Sequence, residues 1–116
     1  MELDELIEAA ISEGMRSGVG SLSPVKRVVF LISEAEVLCD MDGIDSFLRQ
    51  YAPDWINETA AAYNYIGATD IAEGFREIGS ACVPSEELLD RVNKLVTGRV
   101  GYQYSNIAKF VSEDRQ

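Results

Sequence analysis

Residues 23–43 read SPVKRVVFLISEAEVLCDMDG, and this stretch decides the fold. It opens on Ser23-Pro24, a pair typical of a helix start. The serine side chain can cap a free backbone N–H, and proline suits the first helical position, where no N–H is missed. Apolar residues then occupy nearly every side of the helix, which is typical of a helix buried in a core. The stretch therefore predicts a central helix followed by the turn 40–43.

Shorter helical patterns lie on both sides of this central helix. Apolar residues spaced three and four positions apart predict further helices, whose apolar positions span 3–15, 44–51, 55–66, 71–82, 88–96 and 102–111. Asp70 and Glu73 have the spacing of a capping box at the start of one of them. No stretch alternates with the period of two that marks a strand. The sequence therefore predicts a single all-α domain, residues 1–116, with six or seven short helices.

Composition and charge exclude several classes of function. The chain has 116 residues, 47% hydrophobic and 26% charged, as expected of one globular domain. Twenty acidic residues against ten basic ones give a net charge of −10, which repels nucleic acids and anionic membranes. Histidine is absent, which removes Ser-His and Cys-His catalysis and His-ligated zinc. Direct nucleic-acid binding and membrane binding are not expected.

The first residues and the two cysteines indicate the compartment. The segment Met1–Glu5 is acidic where a signal peptide would be basic. The longest apolar run, Val28–Ile32, has five residues, whereas a membrane span needs about 20. Cys39 and Cys82 lie 43 positions apart with no metal-ligand spacing. We therefore expect a cytoplasmic protein with two buried free thiols.

The acidic residues concentrate in the first half of the chain. Residues 1–58 carry twelve acids against four bases, and Arg49 is the single base between Glu34 and Glu58. Crowding carboxylates in this way costs self-repulsion, so we expect an exposed acidic face that binds a basic protein partner, the alternative being a face that serves solubility alone. The candidate partner-binding residues are Glu34, Glu36, Asp40, Asp42, Asp45, Asp54 and Glu58.

The aspartates near the turn resemble a calcium loop only superficially. A helix-loop-helix calcium site that started at Asp40 would need glycine at its sixth position and glutamate at its twelfth. Gly43 stands at the fourth position instead, and Tyr51 at the twelfth. The aspartates fit turn and capping roles better. The sequence therefore predicts no metal site, no cofactor and no catalytic residue.

Residues 34–75 resemble a known family. The motifs that carry the resemblance are Glu36-Val37, the turn Met41-Asp42-Gly43-Ile44, the pair Phe47-Leu48, and Ala62-Tyr63-x-x-Ile66-Gly67-Ala68. They are similar to motifs of a bacterial all-α family of unknown function whose best-known member is a DNA mimic. The family's turn has two glycines, and here Asp42 replaces the first, while Ser46 replaces a glutamine. The resemblance implies an all-α fold, and carboxylates that stand in for phosphates.

The charge and the resemblance together lead to one functional expectation. We expect a non-enzymatic protein-interaction domain that inhibits a nucleic-acid-binding protein in the manner of a DNA mimic. One alternative is an immunity-type protein that neutralises a basic toxin. Another is a carboxylate-based hydrolase, which would need a pocket with two carboxylates in unequal environments. The expected partner is a basic protein, and a homodimer is also open.

Overall fold

A long central helix organises the structure, a computed structural model that describes residues 2–114. This helix, α2, spans Pro24–Met41, and the Ser23 hydroxyl accepts a hydrogen bond from the backbone N–H of Lys26 at 3.4 Å. The described residues contain no strand, so the all-α prediction is confirmed for them. The other helices are α1 (Leu3–Ser17), α3 (Ile44–Tyr51), α4 (Ile56–Tyr65), α5 (Thr69–Ser80), α6 (Glu86–Thr97) and α7 (Tyr104–Asp114), with one 3₁₀ turn at Val19–Ser21.

Helix α2 is enclosed by its neighbours, as the sequence predicts. It packs against α1, α3, α4, α6 and α7. The four consecutive side chains from Val29 to Ile32 are each at most 1% exposed. Because successive residues of a helix point about 100° apart, four buried in a row leave no open side at this level. Each of these side chains contributes roughly 1.5–3 kcal/mol by leaving water.

Helix α1 approaches α2 closely at a glycine. Gly14 is buried, and a methyl group at its position would overlap the ring of Phe30. Gly14 lies inside α1, because the helix continues to Ser17 and ends at Gly18. Gly14 is therefore an internal contact residue that allows the two helices to approach, and the helix end lies one turn later.

Helices α3, α4 and α5 share an aromatic core. The Phe47 ring lies 5.0 Å from Tyr51 and 5.7 Å from Phe75, and the Tyr63 ring stacks on Phe75 at 5.7 Å. Such pairs add about 0.5–1.5 kcal/mol beyond the area they bury. These rings hold α3 against the α4–α5 pair, and the Phe30 ring of α2, 5.9 Å from Tyr51, holds α3 against the central helix.

The predicted capping box at the start of α5 is wrong. The N-cap of α5 is Ala68, and its side chain makes no capping hydrogen bond. Asp70 lies inside the first turn, because the α4–α5 connection is short and the helix begins at Thr69. An acidic residue there still interacts favourably with the positive end of the helix dipole.

The two cysteines occupy different environments, although both are free. Cys39 is buried on α2, and this burial raises the pKa of its thiol to about 12. Cys82 is exposed, because it follows the end of α5 in the connection to α6. The prediction of a buried thiol is confirmed for Cys39 and wrong for Cys82.

The turn between α2 and α3 depends on Gly43, whose φ of +90° and ψ of 167° belong to a region that is essentially restricted to glycine. A methyl group there would meet no atom within 4 Å, so a substitution costs backbone strain alone. We expect Gly43→Ala to lower the free energy of unfolding by about 1–3 kcal/mol, measured by urea denaturation.

The matched control for this change is Gly20→Ala. Gly20 has no positive φ, and a methyl group there would make ordinary contact with Trp55 at 3.8 Å. We expect this control to change stability by less than about 0.5 kcal/mol. Equal stability of the two variants would contradict the role assigned to Gly43.

Candidate functional site

The seven candidate carboxylates do not share one exposed face. Asp40, Asp42, Asp45, Asp54 and Glu58 are exposed. Glu34 is buried, and the side chain of Glu36 is only 12% exposed. The structure therefore divides the acidic stretch into carboxylates held by the protein's own side chains and carboxylates open to solvent.

Glu34 belongs to the interior, so its predicted place on an acidic face is wrong. It is 5% exposed, and its Oε1 accepts a hydrogen bond from the Tyr51 hydroxyl at 2.7 Å. Burial, followed by the nearby Glu34 carboxylate, raises the pKa of Tyr51 well above its ordinary value. The physical cause is the packing of α3 over α2, which covers this side of the central helix.

Glu36 connects α2 to the segment between α6 and α7. Its Oε2 accepts a hydrogen bond from Arg99 Nε at 2.8 Å and another from the Tyr102 hydroxyl. Arg99 has a φ of +49°, unusual for a residue other than glycine, and its guanidinium lies 5.0 Å from the Tyr104 ring centre. Burial, and then the bond to Glu36, raises the pKa of Tyr102 well above its ordinary value. Sequence reasoning missed this cluster, because Glu36 and Tyr102 lie 66 residues apart.

Glu58 is exposed but already has a partner. Its two carboxylate oxygens each lie 3.3 Å from Nη1 of Arg27, whose guanidinium also lies 5.4 Å from the Trp55 ring centre. Arg27 stands near the start of α2, and Asp40 comes thirteen residues later, a rise of about 20 Å. Glu58 is therefore paired with Arg27 near the start of α2, whereas Asp40 lies near the other end of that helix.

Three exposed aspartates, Asp40, Asp42 and Asp45, surround the turn from α2 to α3, and we call them the acidic corner. Asp42 is the C-cap of α2, and Asp45 lies in the first turn of α3. Asp54 follows the far end of α3. None of these four aspartates takes part in an ion pair within residues 2–114. The acidic corner thus presents carboxylates that the described part of the chain leaves without cations.

An open groove of about 570 Å³ adjoins the acidic corner and contains the carboxylates of Glu36 and Asp40. These two carboxylates have unequal environments, as the hydrolase alternative requires, because Glu36 is held by Arg99 and Tyr102 while Asp40 is exposed. Among the described lining residues, Asp40 is therefore the acidic side chain left for a ligand. Within residues 2–114, no group of three or more acidic or cysteine side chains could hold a metal ion, and no helix is long and apolar enough to cross a bilayer.

The hydrogen bond between Tyr51 and Glu34 provides a test of whether Glu34 is held by the protein's own side chains. Tyr51→Phe removes the donor and leaves a buried carboxylate without this partner, so we expect a loss of about 1–3 kcal/mol in the free energy of unfolding. The control is Tyr65→Phe at a residue that is 62% exposed, and we expect a change below about 0.5 kcal/mol. Equal urea midpoints for the two variants would show that Glu34 does not need Tyr51.

Comparison with known proteins adds one match. A family model of the DMP19-like protein family matches residues 20–110, a range that begins just before α2 and ends within α7. No curated protein and no solved structure matched the chain. The matched range includes the acidic corner, and it confirms the resemblance to the family with a DNA-mimic member. The chain belongs to the family of DMP19-like proteins.

Proposed function

We propose that this protein acts without catalysis, by occupying the nucleic-acid-binding face of a basic protein. Asp40, Asp42, Asp45 and Asp54 make the contacts in this proposal. The observation that carries it is that these four exposed carboxylates have no cation partner within residues 2–114, in a chain of a family known for a DNA mimic.

The arrangement of the acidic corner suits such a role. Its three aspartates fall within six residues, and helix ends packed on the core hold them in place. Carboxylates held close together on helix ends present a dense negative charge, as phosphates do on nucleic acid. A basic partner is then attracted at long range, which raises the association rate and makes it sensitive to salt.

A basic toxin is the alternative partner, because the same unpaired carboxylates would attract it. The electrostatics of the corner do not distinguish the two partner classes. A cytoplasmic location is part of the proposal, since the two free thiols, Cys39 and Cys82, fit a reducing compartment.

The proposal is tested by replacing three of the four aspartates with neutral asparagine. A partner retained by the immobilised protein from a lysate of the source cells at low salt, and released at high salt, serves as the ligand. We expect the triple variant to associate with this partner about tenfold more slowly than wild type, and its association rate to depend less steeply on salt. The changes are Asp42→Asn, Asp45→Asn and Asp54→Asn.

A second triple variant with the same change in net charge provides the control. Its positions are exposed, and they take no part in the ion pairs of the described residues. We expect its association rate to stay within about twofold of wild type. Equal slowing in the two variants would mean that total charge, and not the α2–α3 region, governs binding. The control changes are Asp70→Asn, Glu73→Gln and Glu86→Gln.

A further inference from the structure

The groove beside the acidic corner is lined by both apolar and polar side chains. It is lined by residues of α1 and α2, by the last residues of α6, and by Arg99 and Tyr104. Its apolar lining includes Ile7 and Ile11 of α1 and Val37 and Met41 of α2. The contacts proposed for the acidic corner are made by carboxylates, so the apolar side chains next to it call for a separate explanation.

Exposed apolar side chains are concentrated in this groove. Val37 is 46% exposed, Met41 71% and Tyr104 49%, and all three line it. Among the described residues only four other large apolar side chains are comparably exposed, and none of them lines the groove. Clustered apolar exposure on a soluble surface is typical of a protein-binding site.

The charge around the groove is negative. Arg99 lies in the groove, but its guanidinium is bound to Glu36, so the cation is already neutralised. Asp40 also lies there, and it forms no ion pair within residues 2–114. On α1, Asp4 and Glu8 are exposed and each precedes an isoleucine of the groove by three residues, which places them along its edge.

We infer that this groove binds one amphipathic helix of the partner, with apolar residues inward and Lys or Arg along its sides. The inference rests on the proposed function and names the partner's chemistry. Aliphatic anchors contact Val37, Met41 and the isoleucines of α1. The basic side chains of the bound helix meet Asp40 and the carboxylates of α1, and this complementarity selects a basic helix over a neutral one.

The dimensions of the groove agree with such a ligand. Ser33 and Met41 both line it and lie eight residues apart on α2, a span of about 12 Å. Anchors at positions i, i+4 and i+7 of a helix span about 10 Å, the spacing by which helices commonly dock into grooves.

A second copy of the chain is a weaker candidate for the groove. The protein carries a net charge of −10, and two such grooves brought together would oppose their acidic edges. The expected occupant therefore has positive charge, because Arg99, the basic residue among the described residues that line the groove, is already paired with Glu36.

The test uses two labelled synthetic peptides of eighteen residues with identical leucine and lysine content. One has its leucines on a single helical face, and the other has them scattered around the helix. Fluorescence anisotropy at near-physiological salt should show at least about tenfold tighter binding of the first peptide. Equal affinity for the two peptides would mean that charge alone drives binding, and this would overturn the inference.

Two matched substitutions locate the binding. Val37→Ser should lower the affinity for the amphipathic peptide at least about fivefold, and adding Met41→Ser should lower this affinity further. Val83 is 87% exposed and lies outside the groove, so Val83→Ser should bind like wild type. The inference would be overturned if Val37→Ser bound the peptide with unchanged affinity. It would also be overturned if Val37→Ser and Val83→Ser lowered the affinity equally.

Two outcomes separate this inference from the proposed function. In the first outcome, the Asp42, Asp45 and Asp54 variant associates more slowly with the captured partner, while Val37→Ser leaves the affinity for the peptide unchanged. The groove inference then fails and the proposed function stands. If Val37→Ser weakens the peptide while that triple variant binds the captured partner normally, the groove binds a helix and the proposed function fails. A wild-type dimer that Val37→Ser converts to monomer in sedimentation would show that a second copy fills the groove.

Discussion

Helix α2 packs against α1, α3, α4, α6 and α7, so its side chains must be accommodated on nearly every side. Two glutamates of α2 come under this constraint, and burying a carboxylate is costly unless hydrogen bonds compensate. Tyr51 supplies such a bond to Glu34, and Arg99 with Tyr102 supply two to Glu36. These contacts tie α3 and the α6–α7 segment to the central helix, and they withdraw both glutamates from the surface.

The acidic surface is what remains after these pairings. Arg27 neutralises Glu58 near the start of α2, whereas four exposed aspartates that form no ion pair within residues 2–114 lie at or beyond its other end: Asp40, Asp42, Asp45 and Asp54. Gly43 sets the direction in which α3 leaves, and so positions Asp42 and Asp45. Helix α2 therefore contributes residues to the core, to the acidic corner and to the lining of the groove. A partner that contacts the corner would lie beside Val37 and Met41 as well.

Local chemistry made much of the fold predictable from sequence. Ser23-Pro24 marks the start of α2, and Gly43 and Gly67 mark turns that the structure contains. Pairings across the fold were not predictable, because nothing near Glu36 in sequence indicates Tyr102. Helical periodicity also could not separate the buried Glu34 from the exposed Asp40, since α2 has neighbours on almost every side. The sequence thus indicated the stretch that holds the exposed carboxylates, but not which of its acidic residues are buried or paired.

The most direct test of the central claim is a competition experiment on the captured partner. The partner is first bound to labelled duplex DNA, and the protein is then added while DNA release is followed by anisotropy. If the acidic corner occupies the nucleic-acid-binding face, the protein displaces the DNA, and the Asp42, Asp45 and Asp54 variant does so at a concentration at least about tenfold higher. A stable complex of partner, DNA and protein together would contradict the account, because both ligands would then occupy separate faces.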